Sequence, residues 1–435
     1  MRFLSSLLAC LLLLGPAFGQ KTPGRQGTFA LTNARIVTVT NGTIEGGTVV
    51  VRADTIAAVG ANVAVPNDAE VIDATGLHVY PGMIDSGTEL GLVEVGSLPE
   101  TQDDSEIGDL TPQMRALTAV NPNSVNIPVT RVSGVTTVIS EPSGGLLPGT
   151  AALIDLHGYT PTQMLHGGVE MVVLDFPSTG RRGPWDRRSE EEIAKAAKEA
   201  METLNDVWDR AELYAQIDSA RASNGDASMP EYTPSMKALL PVVNGSLPLM
   251  VKASAAADIS SALEWAEERG LTGQIILSGA QDGWRVADEI AAANVPVLTG
   301  PVLSIPSRES DRYDKAYANA GLLHDAGVTV ALRSGEAENV RNLPFHAGFA
   351  AAYGLGKDAA LRAVTITPAQ IFGVDDRLGS IDVGKQANLF VTDGDPFETK
   401  TQVQHLFIEG YKIPMESRHS KLYDEFLNRT PGLSE

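Results

Sequence analysis

From Phe29 to Gly60 the apolar positions fall in short β-branched runs broken by turn residues. Ala34 to Val39, Thr48 to Val51 and Ile56 to Val59 read as strands, and Asn41-Gly42 as a turn. They predict a small β-domain. From Val79 onward the texture changes, and apolar strand-like runs alternate with helical ones. Val135 to Ser140 is a continuous buried-type run. Leu249 to Ala253 precedes a helical stretch at Ala256 to Arg269, and Gln274 to Leu277 precedes Trp284 to Ala293. Val295 to Leu298 precedes Asp311 to Ala326, and Val328 to Leu332 precedes Leu343 to Tyr353. This β-then-α alternation predicts the α/β class. The repeat count suits a closed (β/α)8 barrel of the TIM type. After it, Ala387 to Thr392 and His405 to Glu409 return to strand texture. The expected organisation is a barrel over 79–375, flanked by a small β-sandwich built from both chain ends, 29–78 plus 376–415.

Several segments stand outside the alternation. Leu98 to Asn126 is acidic and aperiodic, which predicts a long loop over the barrel mouth. Residues 189–222 form one long amphipathic pattern, with Ile193, Ala197, Ala200, Leu204, Val207 and Ala211 in an apolar stripe. Ser189 and Glu192 have capping-box spacing at its start. Residues 20–28 are polar and read as a flexible N-terminus, and 416–435 as a C-terminal tail. Residues 1–19 have the pattern of a signal peptide. Arg2 precedes the short apolar run Leu4 to Leu14, and Ala17-Phe18-Gly19 offers a small-x-small cleavage site before Gln20. The expectation is export to a periplasm or the extracellular space, with no membrane attachment after cleavage.

Charge and cysteine usage narrow the function classes. The net charge of −21 disfavours nucleic acid and anionic membranes as partners, because both reward a basic face. The single cysteine, Cys10, lies inside the signal pattern. Without it there is no thiolate metal site, cysteine nucleophile or disulfide. No Gly-x-Ser-x-Gly elbow occurs. The Gly-rich stretch Ser140-Glu141-Pro142-Ser143-Gly144-Gly145 lacks the Gly-Lys-Ser/Thr of a phosphate loop, and reads as a barrel loop over the mouth.

Four stretches, in order, carry a resemblance. They are Asn33-Ala34-Arg35-Ile36-Val37 with Ile56 to Gly60; Tyr80-Pro81-Gly82-Met83-Ile84-Asp85; Ala363 to Ala369; and Gly379 to Leu389 with Asp393-Gly394-Asp395-Pro396. Together they resemble the amidohydrolase superfamily, in particular its imidazolonepropionase-like branch. The resemblance implies the barrel-plus-sandwich fold and metal-assisted hydrolysis. In that chemistry a divalent ion, commonly zinc, lowers the pKa of bound water and polarises the scissile carbonyl. It also implies where ligands should stand: His-x-His after the Pro-Gly-x-Ile-Asp run on strand one, one His each on strands five and six, and an Asp on strand eight.

This sequence departs from the pattern at each place. The His-x-His pair matches Gly87 and Glu89. The strand-five position matches Lys252, the strand-six position Gly279, and the strand-eight position Gly335 or its neighbour Ser334. Glycine has no ligating side chain, and a zinc site needs three or four protein ligands. The seven histidines offer no replacement pair; only His157 and His166 fall near an expected mouth, in the region of strands three and four. No metal cofactor is therefore expected. Glu89, Lys252 and Arg333 are the mouth candidates, where an ion pair would replace metal charge with side-chain charge. Asp85, just before the ligand pair, is expected to be structural.

Two functions follow from this. The first is a metal-free, non-hydrolytic homologue acting as a binding protein for a small polar or zwitterionic ligand, or as a subunit beside a second copy or an active amidohydrolase. The alternative is a zinc-dependent hydrolase of a non-peptide C–N bond in a cyclic amide, imide or dipeptide-like substrate, using ligands that this matching does not find.

Overall fold

The computed structural model describes residues 24–181, 186–223, 231–308 and 310–429. The expected signal peptide, Cys10 and residues 20–23 lie outside them.

The N-terminal alternation becomes β1 (Thr28–Val37), β2 (Thr43–Arg52), β3 (Thr55–Gly60), β4 (Glu70–Asp73) and β5 (His78–Pro81). The barrel strands follow as β6 (Met83–Thr88), β7 (Val135–Ser140), β8 (Gly149–Asp155), β9 (Leu165–Asp175), β10 (Leu249–Ala253), β11 (Ile275–Gly279), β12 (Val297–Thr299) and β13 (Val330–Leu332). The chain then returns to the flanking domain as β14 (Leu389–Thr392), β15 (Val403–Ile408) and β16 (Tyr411–Ile413). One sheet runs β16-β15-β14-β5-β1-β2-β3, with β4 beside β1. It joins both chain ends around a core of Phe29, Ile36, Val49, Val79, Leu389 and Phe407. The second sheet runs β6 through β13 in sequence order. A parallel bridge from Thr88 to Gly335 draws its ends together into the barrel. The α/β barrel flanked by a sandwich of the two ends is therefore the fold.

One local difference is β8. It pairs antiparallel with both β7 and β9, whereas the other neighbouring barrel strands are parallel. The reason is the short loop from Glu141 to Pro148, which leaves no length for a crossover helix.

Gly82 is the hinge between the two domains. A Cβ there would lie 2.2 Å from Thr136 Oγ1, so only glycine lets the chain turn from β5 into β6.

The long insert is a helix over Glu190–Ser223. Ser189 and Glu192 cap it reciprocally, with the Glu192 N–H donating to Ser189 Oγ at 3.2 Å and the Ser189 N–H to Glu192 Oε2 at 2.7 Å. Its buried stripe includes Trp208, edge-to-face with Trp265 at 5.1 Å.

Both ends of the described chain carry more order than their polarity suggested. Arg25 bridges to Lys412 in antiparallel register and ion-pairs with Glu70, so residues 24–28 are tied down. The expected tail contains a helix, Arg418–Leu427, whose Ser417 forms a capping box with Ser420. No helix among the described residues is long and apolar enough to cross a membrane.

Candidate functional site at the barrel mouth

Strand alternation builds the site. Ile84, Ile139, Val173, Met250, Ile276, Leu298 and Ala331 fill the barrel interior. Two residues further along each strand, the chain faces the same way. Those positions are Ser86, Glu141, Asp175, Lys252, Ser278, Gly300 and Arg333. The interior therefore changes from apolar to polar at the C-terminal ends of the strands, the face where barrels of this type place their chemistry.

Glu141 is the centre of this layer. It is 2% exposed, and its N–H donates to Thr88 O at 2.9 Å. Its Oε1 accepts from Arg333 Nη2 and lies 3.3 Å from Lys252 Nζ. The other arm of the Arg333 guanidinium donates to Ser278 Oγ. Burial pushes the Glu141 carboxyl up, but the charges of Arg333 and Lys252 outweigh it and hold the carboxyl below its ordinary range.

The matched ligand positions surround this cluster. A Cβ on Gly87 would lie 3.0 Å from both Cζ and Nε of Arg333 and 3.1 Å from Glu141 Oε2. The guanidinium thus lies against the place from which the first histidine of the pair would project. Gly335 closes the barrel through its backbone, its N–H donating to Gly87 O at 3.0 Å. Gly279 has φ +92°, and a Cβ there would meet Ser254 Oγ at 2.9 Å. Gly300 makes way for Arg333 too, since a Cβ there would lie 2.1 Å from its carbonyl oxygen.

Glu89 stands apart from the ion pair. Lys252 and Arg333 do come together as the sequence suggested, but on Glu141, which sequence reasoning placed in the mouth loop without assigning it a role. The Glu89 carboxyl is partly exposed and makes no hydrogen bond or ion pair among the described residues. It is pushed up to about 7 by burial first and then by the charges of Asp104 and Glu141, against the pull of Lys252 and Arg333. Asp104 belongs to the acidic loop after Leu98, which does lie over the mouth. Ser143 donates to its carboxylate and, through the backbone, to its carbonyl at 2.7 Å.

Asp85 holds the backbone. Its Oδ1 accepts from the N–H groups of Gly87 and Ser334, both at 3.1 Å, tying β6 to the end of β13. Burial drives its carboxyl up to about 6 despite these bonds.

The two histidines expected near the mouth are at the opposite end. Because β8 runs antiparallel, its C-terminal residue Asp155 is at the barrel base, and it takes His166 Nδ1 at 2.7 Å. His157 packs on Tyr411 of the flanking domain, ring centroids 4.5 Å apart. A reversed strand exchanges mouth for base, and the reversal is set by the short loop before β8 rather than by the alternation within it.

Among the described residues no group of three or more His, Cys, Asp or Glu side chains is placed to hold a metal ion. The donor chemistry agrees with that placement. Two of the nearest groups are cations, and the positions that would supply ligands are largely glycine. The residues present do not fit the divalent ion of the family reaction.

Comparison with known proteins follows the same line. A model of the amidohydrolase family matches residues 251–413. Amidohydrolase tasK of Hapsidospora irregularis is 24% identical over 390 residues, covering 80% of this chain. The chain spans only 37% of the length of that curated relative. Among solved structures, an amidohydrolase from Thermotoga maritima MSB8 is 24% identical with a TM-score of 0.77, over 89% of this chain and 99% of that one. Molinate hydrolase is 16% identical with a TM-score of 0.55, over 95% and 99%. An adenosine deaminase from Xanthomonas campestris with bound zinc is 17% identical with a TM-score of 0.53, over 93% and 98%. Over residues 251–413 the chain thus resembles the amidohydrolase family, and it shares its barrel and flanking-domain fold with the solved amidohydrolase of Thermotoga maritima.

Proposed function

We propose that the chain is a metal-free, non-hydrolytic amidohydrolase homologue, serving as a binding protein or as the partner subunit of a second copy or of an active relative. One observation carries this reading: the Arg333 guanidinium, paired with Glu141, lies against Gly87 where a ligand side chain would project. A guanidinium cannot ligate, since it has no lone pair to give. It also carries the positive charge that a metal would otherwise supply to the mouth. The sequence of residues 1–19 supports export of the mature chain to a periplasm or the extracellular space.

The alternative, a zinc-dependent hydrolase of a C–N bond, draws its support from relatives named as hydrolases and from the zinc bound in the deaminase. Elemental mass spectrometry on the purified mature chain, after dialysis against zinc-supplemented buffer, separates the two. The expected result is far less than one zinc per chain. A content of about one zinc or more per chain would sink the metal-free reading, because a family-type site binds at that stoichiometry.

A further inference from the structure

The ion-paired layer does not use all its polar capacity. Glu141 Oε2, Arg333 Nε, Asp85 Oδ2, Ser86 Oγ and Ser334 Oγ are buried and have no hydrogen-bond partner among the described side chains and backbone. Such groups are uncommon in native interiors, and five at one strand-end layer mark a place where polar partners belong. Two side chains of this mouth reach solvent with opposite character. Lys252 is 25% exposed, and its contact with Glu141 at 3.3 Å leaves other donor directions of the ammonium unused. Glu89 is also partly exposed, unpaired among the described residues, and in the negative field of Asp104 and Glu141.

We infer that the barrel mouth binds a small zwitterion, with its carboxylate on the Lys252 ammonium and its ammonium on the Glu89 carboxylate. This rests on the metal-free reading, since a divalent ion between these groups would take the carboxylates for itself. The charges argue for both ends of the ligand. Arg333 is 6% exposed and both its Nη groups are engaged, with Glu141 and Ser278, so it is closed to an incoming carboxylate, while Lys252 is open to one. At the other end, Glu89 faces two further carboxylates, and a ligand ammonium relieves that repulsion. A simple anion would meet Lys252 but also Glu89, Asp104 and Glu141. A simple cation would meet Glu89 but also Lys252 and Arg333. Only a molecule with both charges matches both groups, and the buried Arg333–Glu141 pair fixes the position of Lys252 beneath it.

The test is isothermal titration calorimetry on the unmodified mature chain at neutral pH. The probes are glycine, β-alanine and γ-aminobutyrate, each against its deaminated acid and its decarboxylated amine. At least one zwitterion should saturate, and bind about tenfold or more tighter than either single-charge control, roughly the loss of one charge-assisted contact. Lys252→Met should abolish the advantage over the amine, and Glu89→Gln the advantage over the acid, with melting curves showing that both variants fold. Failure of all three zwitterions to saturate overturns the inference. So does equal binding of zwitterion and controls on the unmodified chain, a comparison that needs no variant. Zinc content measured on the same sample keeps the two ideas separate. Metal-free protein that ignores zwitterions sinks only this inference, and metal-loaded protein sinks the reading beneath it.

Discussion

The two ends of the barrel handle buried polar groups in opposite ways. At the base, Asp155 Oδ1 accepts from Thr137 Oγ1 and Asn388 Nδ2, both at 2.8 Å, and its Oδ2 meets His166. Asn388 Oδ1 in turn accepts from the Glu409 N–H at 2.7 Å. The network crosses from barrel to flanking domain. Of the side chains that form it, only His166 has an atom, Nε2, without a partner among the described residues, though Arg131 Nε and Gln274 Oε1 at the base also lack one. At the mouth, five buried polar atoms are left without one. A nearly complete network specifies a unique packing and is a structural joint. An incomplete one in a region built of charges is a site whose remaining partners come from solvent or ligand. The same chain therefore shows a finished polar interface and an unfinished one, and only the second is a candidate for function.

The sharpest way to break the contrast is Arg333→Ala. It leaves Glu141 buried and paired only to Lys252, and should cost about 3–5 kcal/mol in denaturant unfolding. Methylguanidinium in solution should restore part of that loss, because the vacated space keeps its acceptor pair. An unchanged unfolding midpoint would mean that the guanidinium is not what holds the mouth together.

At the base the expected effect is smaller and depends on pH. Burial lowers the His166 pKa, but the hydrogen bond and charge of Asp155 outweigh it and raise the net value. A raised pKa means that the folded state holds the proton more tightly. Its stabilisation is full below the ordinary histidine range near ~6.5, and is lost as pH rises through the folded value. Asp155→Asn keeps an acceptor for Thr137 and Asn388 but removes the charge. It should cost about 1–3 kcal/mol near pH 5.5 and progressively less at higher pH. A loss that does not vary with pH would show that His166 is neutral throughout.

The smallest expected change is Gly87→Ala, which adds one carbon against Arg333 and Glu141. It should destabilise by about 1–2 kcal/mol through crowding alone. In the Arg333→Ala background the same substitution should cost almost nothing, since the two residues compete for one space. Additive losses in the double variant would separate Gly87 from the guanidinium and weaken the idea that one makes room for the other.

Periodicity carried most of the fold. The βα rhythm from Leu249 to Leu332 depends on local burial, and local burial is written in residue order. That Gly87, Glu89, Lys252, Gly279 and Gly335 stand at the strand ends was legible too, because they sit at fixed offsets from recognisable strand motifs. Glu141 could have been found by extending the same logic, as the carboxylate that directly follows the β-branched run Val135 to Ser140. His157 and His166 were misplaced because the βα rhythm was carried through β8, where the short loop from Glu141 to Pro148 makes a hairpin and reverses the strand.

The sequence alone determined the barrel and the two-ended flanking domain, since both follow from residue kind and spacing along one chain. Only the tertiary structure decided that Arg333 and Lys252 share Glu141 while Glu89 stands free. That choice depends on ångström distances between strands separated by up to 192 residues, and distance in space is what sets the strength of charge on charge.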